Sequence, residues 1–247
     1  MSLLLEGVHA FVTGGTGDVG QAVVKLFLRE GAAVAFSYHS KEKEAKTFVE
    51  EHKSAGRKIS AHHLDITDSK ACKALADQLE NDGFPVDVIV NNAGITEIMP
   101  FALIEEEDWD RLIAVNVKGP FLVTRAFIRG MIRRKRGSIV NLGSLAGHRL
   151  LEVPVHYATS KSAMMGFTLS LAREMGKYGI RVNCVVPGLL EGGVSRHVPD
   201  KQREEFCRYC ASGRAGNCDE VAELVAFLAS KNASYINAQA VHVNGGF

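Results

Sequence analysis

The sequence predicts an α/β fold in which helices cover both faces of a parallel sheet. Short runs rich in β-branched residues alternate with longer helical segments, which gives seven strands and six helices. No turn signal joins two neighbouring strands, so each strand is expected to continue into a crossover helix. The fourth strand, residues 86–90, is almost entirely apolar, as in a strand buried on both faces.

No linker, low-complexity tract or repeat divides the 247 residues, so we expect one doubly wound domain. The predicted strands lie at residues 8–13, 33–37, 59–64, 86–90, 138–142, 181–186 and 240–243. The predicted helices lie at residues 19–29 (ended by Gly31), 41–54, 69–81, 108–133, 155–178 and 219–229. We interpret residues 189–214 as a mobile substrate-binding loop. Sheets of this kind bind ligands at the carboxyl ends of their strands, where the candidate residues fall.

The composition argues against several classes of function. The formal net charge is +1 and charged residues make up 23% of the chain, so neither a nucleic acid nor a membrane is an expected partner. Leu3, Leu4 and Leu5 form too short a run for a signal sequence, and no run approaches the roughly 18 residues of a membrane span. We expect a soluble cytoplasmic protein; the alternative is an import signal removed from a longer precursor.

The cysteines do not predict a metal site. Cys207, Cys210 and Cys218 are close in sequence, but a fourth ligand at suitable spacing is missing, because His197 lies upstream in a Gly-rich segment. We expect reduced thiols and no bound metal.

A glycine-rich turn, Thr13-Gly14-Gly15-Thr16-Gly17-Asp18-Val19-Gly20, connects the first strand to the first helix. Glycines allow a tight turn and let a pyrophosphate approach backbone N–H groups at the positive end of a helix. This position between a strand and a helix favours a dinucleotide site over an ordinary turn. The candidate residues are Gly14, Thr16, Asp18 and Val19.

The end of the second strand predicts which dinucleotide binds. An NAD site usually carries Asp or Glu there to bind the ribose 2′-hydroxyl. Here the segment is Tyr38-His39-Ser40-Lys41, which has no carboxylate to repel a 2′-phosphate. We predict NADP(H); the alternative is that Lys41 only begins a charged helix. The further candidates at strand ends are Asp65, Ile66, Asn92, Ala93 and Gly94.

Tyr157 and Lys161 are four residues apart and therefore share one face of a predicted helix, 13 residues after Ser144. A ketone that accepts a hydride also needs a proton donor. Free tyrosine has a pKa of about 10, and we expect the Lys161 ammonium to lower the pKa of Tyr157 by favouring the phenolate. The Ser144 hydroxyl would orient the substrate carbonyl.

Asn116 lies in the long predicted helix, four residues before Pro120. Because proline has no N–H, the carbonyl of Asn116 loses its helical partner, and we expect a kink. The freed carbonyl would hold a water that feeds a proton relay through Lys161. The alternative is a packing kink without catalytic meaning.

These motifs, in this order, resemble those of the short-chain dehydrogenase/reductase family over almost the whole chain. The resemblance implies a single-domain Rossmann fold. It also implies a catalytic tetrad of Asn116, Ser144, Tyr157 and Lys161. The residues that it places against the cofactor near the sixth strand and the catalytic helix are Pro187, Gly188, Leu190, Tyr157 and Lys161.

Within the family, residues 137–147, 181–188 and 213–216 are most similar to bacterial 3-oxoacyl-acyl-carrier-protein reductases. This resemblance implies a homotetramer that uses NADPH to reduce the 3-oxo group of an acyl thioester on acyl carrier protein. Two other activities stay open: turnover of a free ketone or secondary alcohol, and the role of a weakly active NADP(H)-binding partner subunit.

An acidic carrier protein would need a basic docking surface. A run of cations near the end of the long predicted helix is a candidate: Arg129, Arg133, Arg134, Lys135 and Arg136. The alternative is that these cations only complement the helix dipole.

Two positions depart from the family pattern. Asp18 stands where the turn usually has glycine, and Gly192 stands where a threonine often contacts the cofactor. We expect Asp18 either to point to solvent or to cap the helix and repel the pyrophosphate, so that Asp18→Gly would tighten NADPH binding. Ser195 is the candidate replacement for the missing threonine.

Overall fold

A seven-stranded sheet forms the centre of the molecule. The computed structural model describes residues 3–149 and 151–247. All strands are parallel, in the order β3-β2-β1-β4-β5-β6-β7. Their bounds are β1 His9–Val12, β2 Ala33–Tyr38, β3 Ile59–His63, β4 Val88–Asn91, β5 Gly137–Leu142, β6 Ile180–Pro187 and β7 Ala240–Val243. The predicted fold class is therefore confirmed, and the strand order reverses between β1 and β4.

Helices cover both faces of this sheet. Their bounds are α1 Asp18–Arg29, α2 Glu42–Ser54, α3 Ser69–Asn81, α4 Glu106–Ile113, α5 Gly119–Arg134, α6 Val155–Met175, α7 Asp200–Tyr209 and α8 Cys218–Ala229. Within the described residues, no helix is both long and apolar enough to cross a bilayer. The five cysteines are free thiols.

The two faces of the sheet have separate apolar cores, and the strand period of two divides the side chains between them. In β1, Ala10 and Val12 pack with α1 and α8, whereas Phe11 packs with α3 and α5. In β4, Ile89 faces the same side as Phe11. Strands buried on both faces have no polar side to present, which explains why residues 86–90 are almost entirely apolar.

Two helical predictions need correction. The single helix predicted at 108–133 is two helices, α4 and α5, joined by a π-helical turn at Ala114–Lys118. Pro120 follows this π-helical turn directly, at the second residue of α5, and has no N–H to donate back into the turn. The loop predicted at 189–214 contains α7, a helix of mostly charged residues whose pattern lacks a strong apolar stripe.

Buried amides link the sheet to α6. The Asn91 Nδ2 atom donates to Asn141 Oδ1 at 2.8 Å, and Asn141 Nδ2 donates to Thr168 Oγ1 at 2.9 Å. Asn141 and Thr168 are fully buried. Because unpaired polar groups in an apolar interior are costly, these bonds fix how α6 lies against β4 and β5.

We predict that Asn141→Leu destabilises the fold by about 1–3 kcal/mol, because Asn91 Nδ2 keeps only its bond to Thr124 and the Thr168 hydroxyl loses its buried donor. Urea unfolding measures the effect. Asn232→Ala, at an exposed position, is the control and should change the unfolding free energy little. Equal stability of Asn141→Leu and wild type would contradict the role assigned to this amide.

Candidate active site

A cavity of about 1530 Å³ opens at the carboxyl edge of the sheet. This volume exceeds the roughly 300–1,000 Å³ that holds a drug-sized ligand and accommodates a dinucleotide together with a substrate. All the predicted cofactor residues line this one cavity: Gly14, Thr16, Asp18, Val19, Tyr38, His39, Ser40, Asp65, Ile66, Asn92, Ala93, Gly94, Tyr157, Lys161, Pro187, Gly188 and Leu190. Ser144 also lines it, and Asn116 lies behind the wall.

Close backbone packing shapes the glycine-rich turn. Gly14 has a φ of +66°, and a Cβ there would lie 3.0 Å from the Ala93 Cα. A Cβ on Gly20 would lie 2.2 Å from the Gly14 carbonyl oxygen. The Asn92 Nδ2 atom donates to the carbonyls of Thr13 and Gly14 at 2.9 and 3.1 Å. Asn92 therefore holds the turn in shape, and the turn presents its backbone to the cavity at the start of α1.

Polar groups at the ends of β2 and β3 line the cavity beside the glycine-rich turn, whose Gly15 N–H donates to the Ser37 carbonyl at 2.8 Å. Tyr38, His39, Ser40 and Lys41 line it, and the rings of His39 and His63 stack with centres 6.0 Å apart. The Asp65 carboxylate accepts from the Thr67 hydroxyl at 2.7 Å and from its N–H at 2.8 Å. These hydrogen bonds lower the pKa of Asp65, so it remains ionised.

Ser144, Tyr157 and Lys161 meet in the middle of the cavity. Ser144 follows β5 by two residues and begins a short 3-10 turn, where its Oγ accepts from the Ala146 N–H at 3.2 Å. Tyr157 lies in the first turn of α6 and is buried. The Lys161 Nζ atom donates to the Leu142 carbonyl at 2.9 Å and lies 5.8 Å from the centre of the Tyr157 ring.

The electrostatics of this cluster correct one prediction. Burial raises the pKa of Tyr157, and the nearby Ser144 hydroxyl opposes that rise only partly. Burial also lowers the pKa of Lys161 to about 8, because the ammonium has lost its water. The expected lowering of the Tyr157 pKa by Lys161 is therefore wrong for this structure. Loss of water disfavours the charged phenolate of Tyr157. It also disfavours the charged form of Lys161, which was expected to stabilise that phenolate.

The hydrogen-bond donors of Lys161 fit a nicotinamide dinucleotide. Lys161 is almost fully buried and uses one protein acceptor, the Leu142 carbonyl, although an ammonium has three N–H donors. Its head group faces the same cavity as the glycine-rich turn, so hydroxyl acceptors of a ribose suit it.

Asn116 sits in the π-helical turn and is buried. Its Oδ1 accepts from the Ile95 N–H at 2.8 Å, and its Nδ2 donates to the Ile95 carbonyl at 2.9 Å and to Ser160 Oγ at 3.0 Å. The side chain thus ties the segment after β4 to α6. The water held by its main-chain carbonyl stays a prediction.

Asp18 behaves in neither of the two expected ways. Gly17 caps α1 without a side-chain hydrogen bond, and the Asp18 carboxylate turns to the segment after β6. It accepts from the Gly193 N–H at 2.6 Å and from Arg196 Nη2 at 2.7 Å. The Oγ of Ser195 accepts weakly, at 3.5 Å, from the Leu190 N–H. Sequence reasoning did not identify Arg196, since nothing local marks a partner 178 residues away from Asp18.

The cationic run lies at the other end of the molecule. It surrounds the end of α5 and the start of β5, whereas the cavity opens where the strands end. Arg134 donates to Glu80 at 2.9 Å, and Arg136 donates to Asp87 at 3.0 Å. Neither residue lines the cavity, and the structure favours the interpretation of these cations as local partners of carboxylates.

Exposed apolar residues surround the mouth of the cavity, and sequence reasoning did not single them out. Ile98 and Phe101 follow β4, and Tyr209 ends α7; their exposures are 60%, 70% and 67%. Phe206 of α7 stacks on Phe247, with ring centres 4.4 Å apart. The sequence does carry one helical signal for α7, an acidic first residue directly after Pro199.

The fold and this cluster define a short-chain oxidoreductase, and comparison with known proteins agrees. The family model described as enoyl-(acyl carrier protein) reductase matches residues 16–247. The chain belongs to the short-chain dehydrogenase/reductase family.

Relatives within the family differ in their named substrates. The chain is 37% identical to the 3-oxoacyl-[acyl-carrier-protein] reductase of Thermotoga maritima, over 98% of both chains. A gluconate 5-dehydrogenase from Burkholderia cenocepacia, solved with NADP and tartrate, has a TM-score of 0.94 and 29% identity, over 99% of this chain and 96% of that one. A 3-oxoacyl-[acyl-carrier protein] reductase from Brucella melitensis, solved with NAD, has a TM-score of 0.90 and 31% identity, over 100% and 94%.

Lys161 gives a pH-dependent contribution to stability. Its pKa is about 8 when folded and 10.5 in a model peptide, so the unfolded chain binds more protons between these values. Stability should therefore rise with pH from about 8 to 10.5, by an amount on the order of 3 kcal/mol relative to Lys161→Met. Denaturant unfolding of both proteins across this window measures the difference. A difference that does not change with pH would contradict the lowered pKa.

Proposed function

We propose that the protein uses NADPH to reduce the 3-oxo group of an acyl thioester carried by acyl carrier protein. The observation that carries the proposal is the cluster of Ser144, Tyr157 and Lys161 inside a dinucleotide-sized cavity whose mouth is apolar. Known 3-oxoacyl reductases among the relatives support the same reaction.

In the proposed reaction the bound NADPH supplies a hydride to the substrate carbonyl carbon. The Tyr157 hydroxyl donates a proton to the carbonyl oxygen, and the Ser144 hydroxyl holds that oxygen in place. Tyr157 is protonated at neutral pH, as free tyrosine is, and this is the form that reduction needs; burial, which raises the pKa of Tyr157, acts in the same direction. Lys161 binds the ribose next to Tyr157, and a water at the Asn116 carbonyl would return the proton.

NADP(H) is the proposed cofactor because His39, Ser40 and Lys41 line the cavity where β2 ends, and none of them is a carboxylate. The related gluconate 5-dehydrogenase was solved with NADP, whereas the Brucella reductase was solved with NAD. The relatives alone therefore do not decide between the two cofactors.

The rim of the cavity supports an acyl chain over a sugar acid. A gluconate-like substrate needs a free cation for its carboxylate. At the substrate end the described cavity lining includes Arg111, which already pairs with Glu97 at 2.6 Å and Asp108 at 3.0 Å. Ile98, Phe101 and Tyr209 instead present apolar surface that an acyl chain would cover.

A free ketone or secondary alcohol is the second candidate substrate, favoured by the structural likeness to a gluconate 5-dehydrogenase. The presence of Ser144, Tyr157 and Lys161 together argues against a weakly active partner subunit. Assembly as a homotetramer and a cytoplasmic location are carried over from the family resemblance as parts of the same proposal.

We expect NADPH oxidation with an acetoacetyl thioester to be faster than with gluconate-derived or simple free ketones. Tyr157→Phe should lower kcat by about 10²–10⁴-fold, because it removes the proton donor, while NADPH binding persists. Steady-state kinetics and fluorescence titration measure both quantities. Faster turnover of a free ketone would overturn the choice of substrate, and a Tyr157→Phe protein as active as wild type would overturn the mechanism.

Lys41→Ala should weaken NADPH binding about 5- to 10-fold and leave NADH binding unchanged, because only NADPH carries the 2′-phosphate. Titration of both cofactors measures this. Lys43→Ala is the matched control, since Lys43 is exposed on the same helix but does not line the cavity. Equal losses for the two cofactors would show that Lys41 does not contact the 2′-phosphate.

A further inference from the structure

The two departures from the family pattern contact each other. A Cβ built on Gly192 would lie 2.8 Å from the Asp18 Oδ2 atom. Gly192 has extended backbone angles, with φ −143° and ψ −167°, that other residues also adopt. A side chain at position 192 would therefore have to displace the Asp18 carboxylate, whereas the backbone conformation itself would accept it.

The same carboxylate holds the segment that follows. Gly193 donates its N–H to Asp18 Oδ2 at 2.6 Å, and Arg196 donates to Asp18 Oδ1 at 2.7 Å. Hydrogen bonds between ionised partners are shorter and stronger than neutral ones. Residues 192–196 are thus anchored to the first residue of α1 through both oxygens of one side chain.

This anchor lies beside the proposed pyrophosphate site. Asp18 begins α1 and lines the cavity next to Thr16 and Gly17, and Gly192 and Ser195 line the same cavity. Repulsion of the pyrophosphate by Asp18 is opposed by Arg196, by the Gly193 N–H and by the positive end of the α1 dipole.

The anchored segment also connects to the substrate end. Arg203 of α7 donates to the Ser195 carbonyl at 3.1 Å, and α7 ends at Tyr209 on the cavity rim. Fixing residues 192–196 against α1 therefore also restrains the start of α7.

We propose that Asp18 and Arg196 are positioning residues that latch residues 192–196 across the pyrophosphate end of the cavity and thereby retain NADP(H). Because Gly192 has no side chain, it leaves room for the Asp18 carboxylate in this latch. The inference rests on the proposed binding of NADP(H) in this cavity. It reverses the effect of Asp18→Gly expected from sequence, since loss of the latch should speed release of the cofactor.

A double-mutant cycle tests the pair. The variants are Asp18→Asn, Arg196→Gln and the combination, and stopped-flow fluorescence of bound NADPH gives its dissociation rate without turnover. Each single change should raise that rate about 3- to 10-fold, and the combination should be no faster than the faster single variant. If the two substitutions multiplied their effects on the dissociation rate in the double variant, the latch would be overturned. Slower release of NADPH from Asp18→Asn than from wild type would also overturn it.

Arg29→Gln is the matched control for the loss of an arginine. Arg29 pairs with Glu223 at 2.9 Å at the other end of α1 and is as exposed as Arg196. This variant should release NADPH at the wild-type rate. A rate as high as that of Arg196→Gln would show a general effect on α1 and would overturn the inference.

A suppressor experiment tests the steric part. Gly192→Ala alone should speed NADPH release, because its Cβ displaces the carboxylate of Asp18. In an Asp18→Gly background the same Gly192→Ala change should have no further effect. An equal effect in both backgrounds would overturn the proposed contact. If the wild type did not bind NADPH, the proposed function itself would be overturned. If every variant bound and released NADPH as the wild type does, only the latch would be overturned.

Discussion

Side-chain amides at the ends of the parallel strands are the constraint on which the site depends. A parallel strand that stops leaves backbone N–H and C=O groups without strand partners, and these groups need others when they are buried. Asn92 supplies them for the turn after β1, and Asn116 supplies them for the segment after β4. The cavity has a defined shape because these short, rigid amides fix its walls.

Burial then determines the chemistry of the groups inside those walls. The same loss of water raises the pKa of Tyr157 and lowers that of Lys161, because it disfavours the charged form of each group. Since free tyrosine and free lysine have similar pKa values, the two values move apart in the folded protein. The folded protein thus favours a neutral phenol at Tyr157 mainly by excluding solvent, with only a limited contribution from contact with its neighbours.

The sequence predicted the fold well where the pattern was local. The strands and most helix ends were set by apolar periodicity, by glycines and by cap residues, all of which lie within a few positions of the elements they define. The π-helical turn at Ala114–Lys118 was not predicted, because it depends on how the Asn116 side chain packs against Ile95 and Ser160. The helix Asp200–Tyr209 was not predicted, because most of its residues are charged and its apolar residues are confined to its last four positions.

The residues of the site were predicted better than their interactions. Residues at strand ends had to converge, since parallel strands finish at the same edge. The partners of Asp18 and of the cations after Arg129 are far away in sequence, and only the folded chain brings them together. The pKa of Tyr157 was also predicted in the wrong direction, because burial cannot be measured from spacing alone.

The cavity wall is assembled from residues between Gly14 and Phe247, nearly the full span of the chain. A growing polypeptide that has completed β1 to β4 already has its glycine-rich turn, but it lacks Tyr157, Lys161 and the ring of Phe247. The full cavity therefore forms only after the segments up to Phe247 have been made. A dinucleotide bound there would bridge distant parts of the chain and would favour the folded state by mass action.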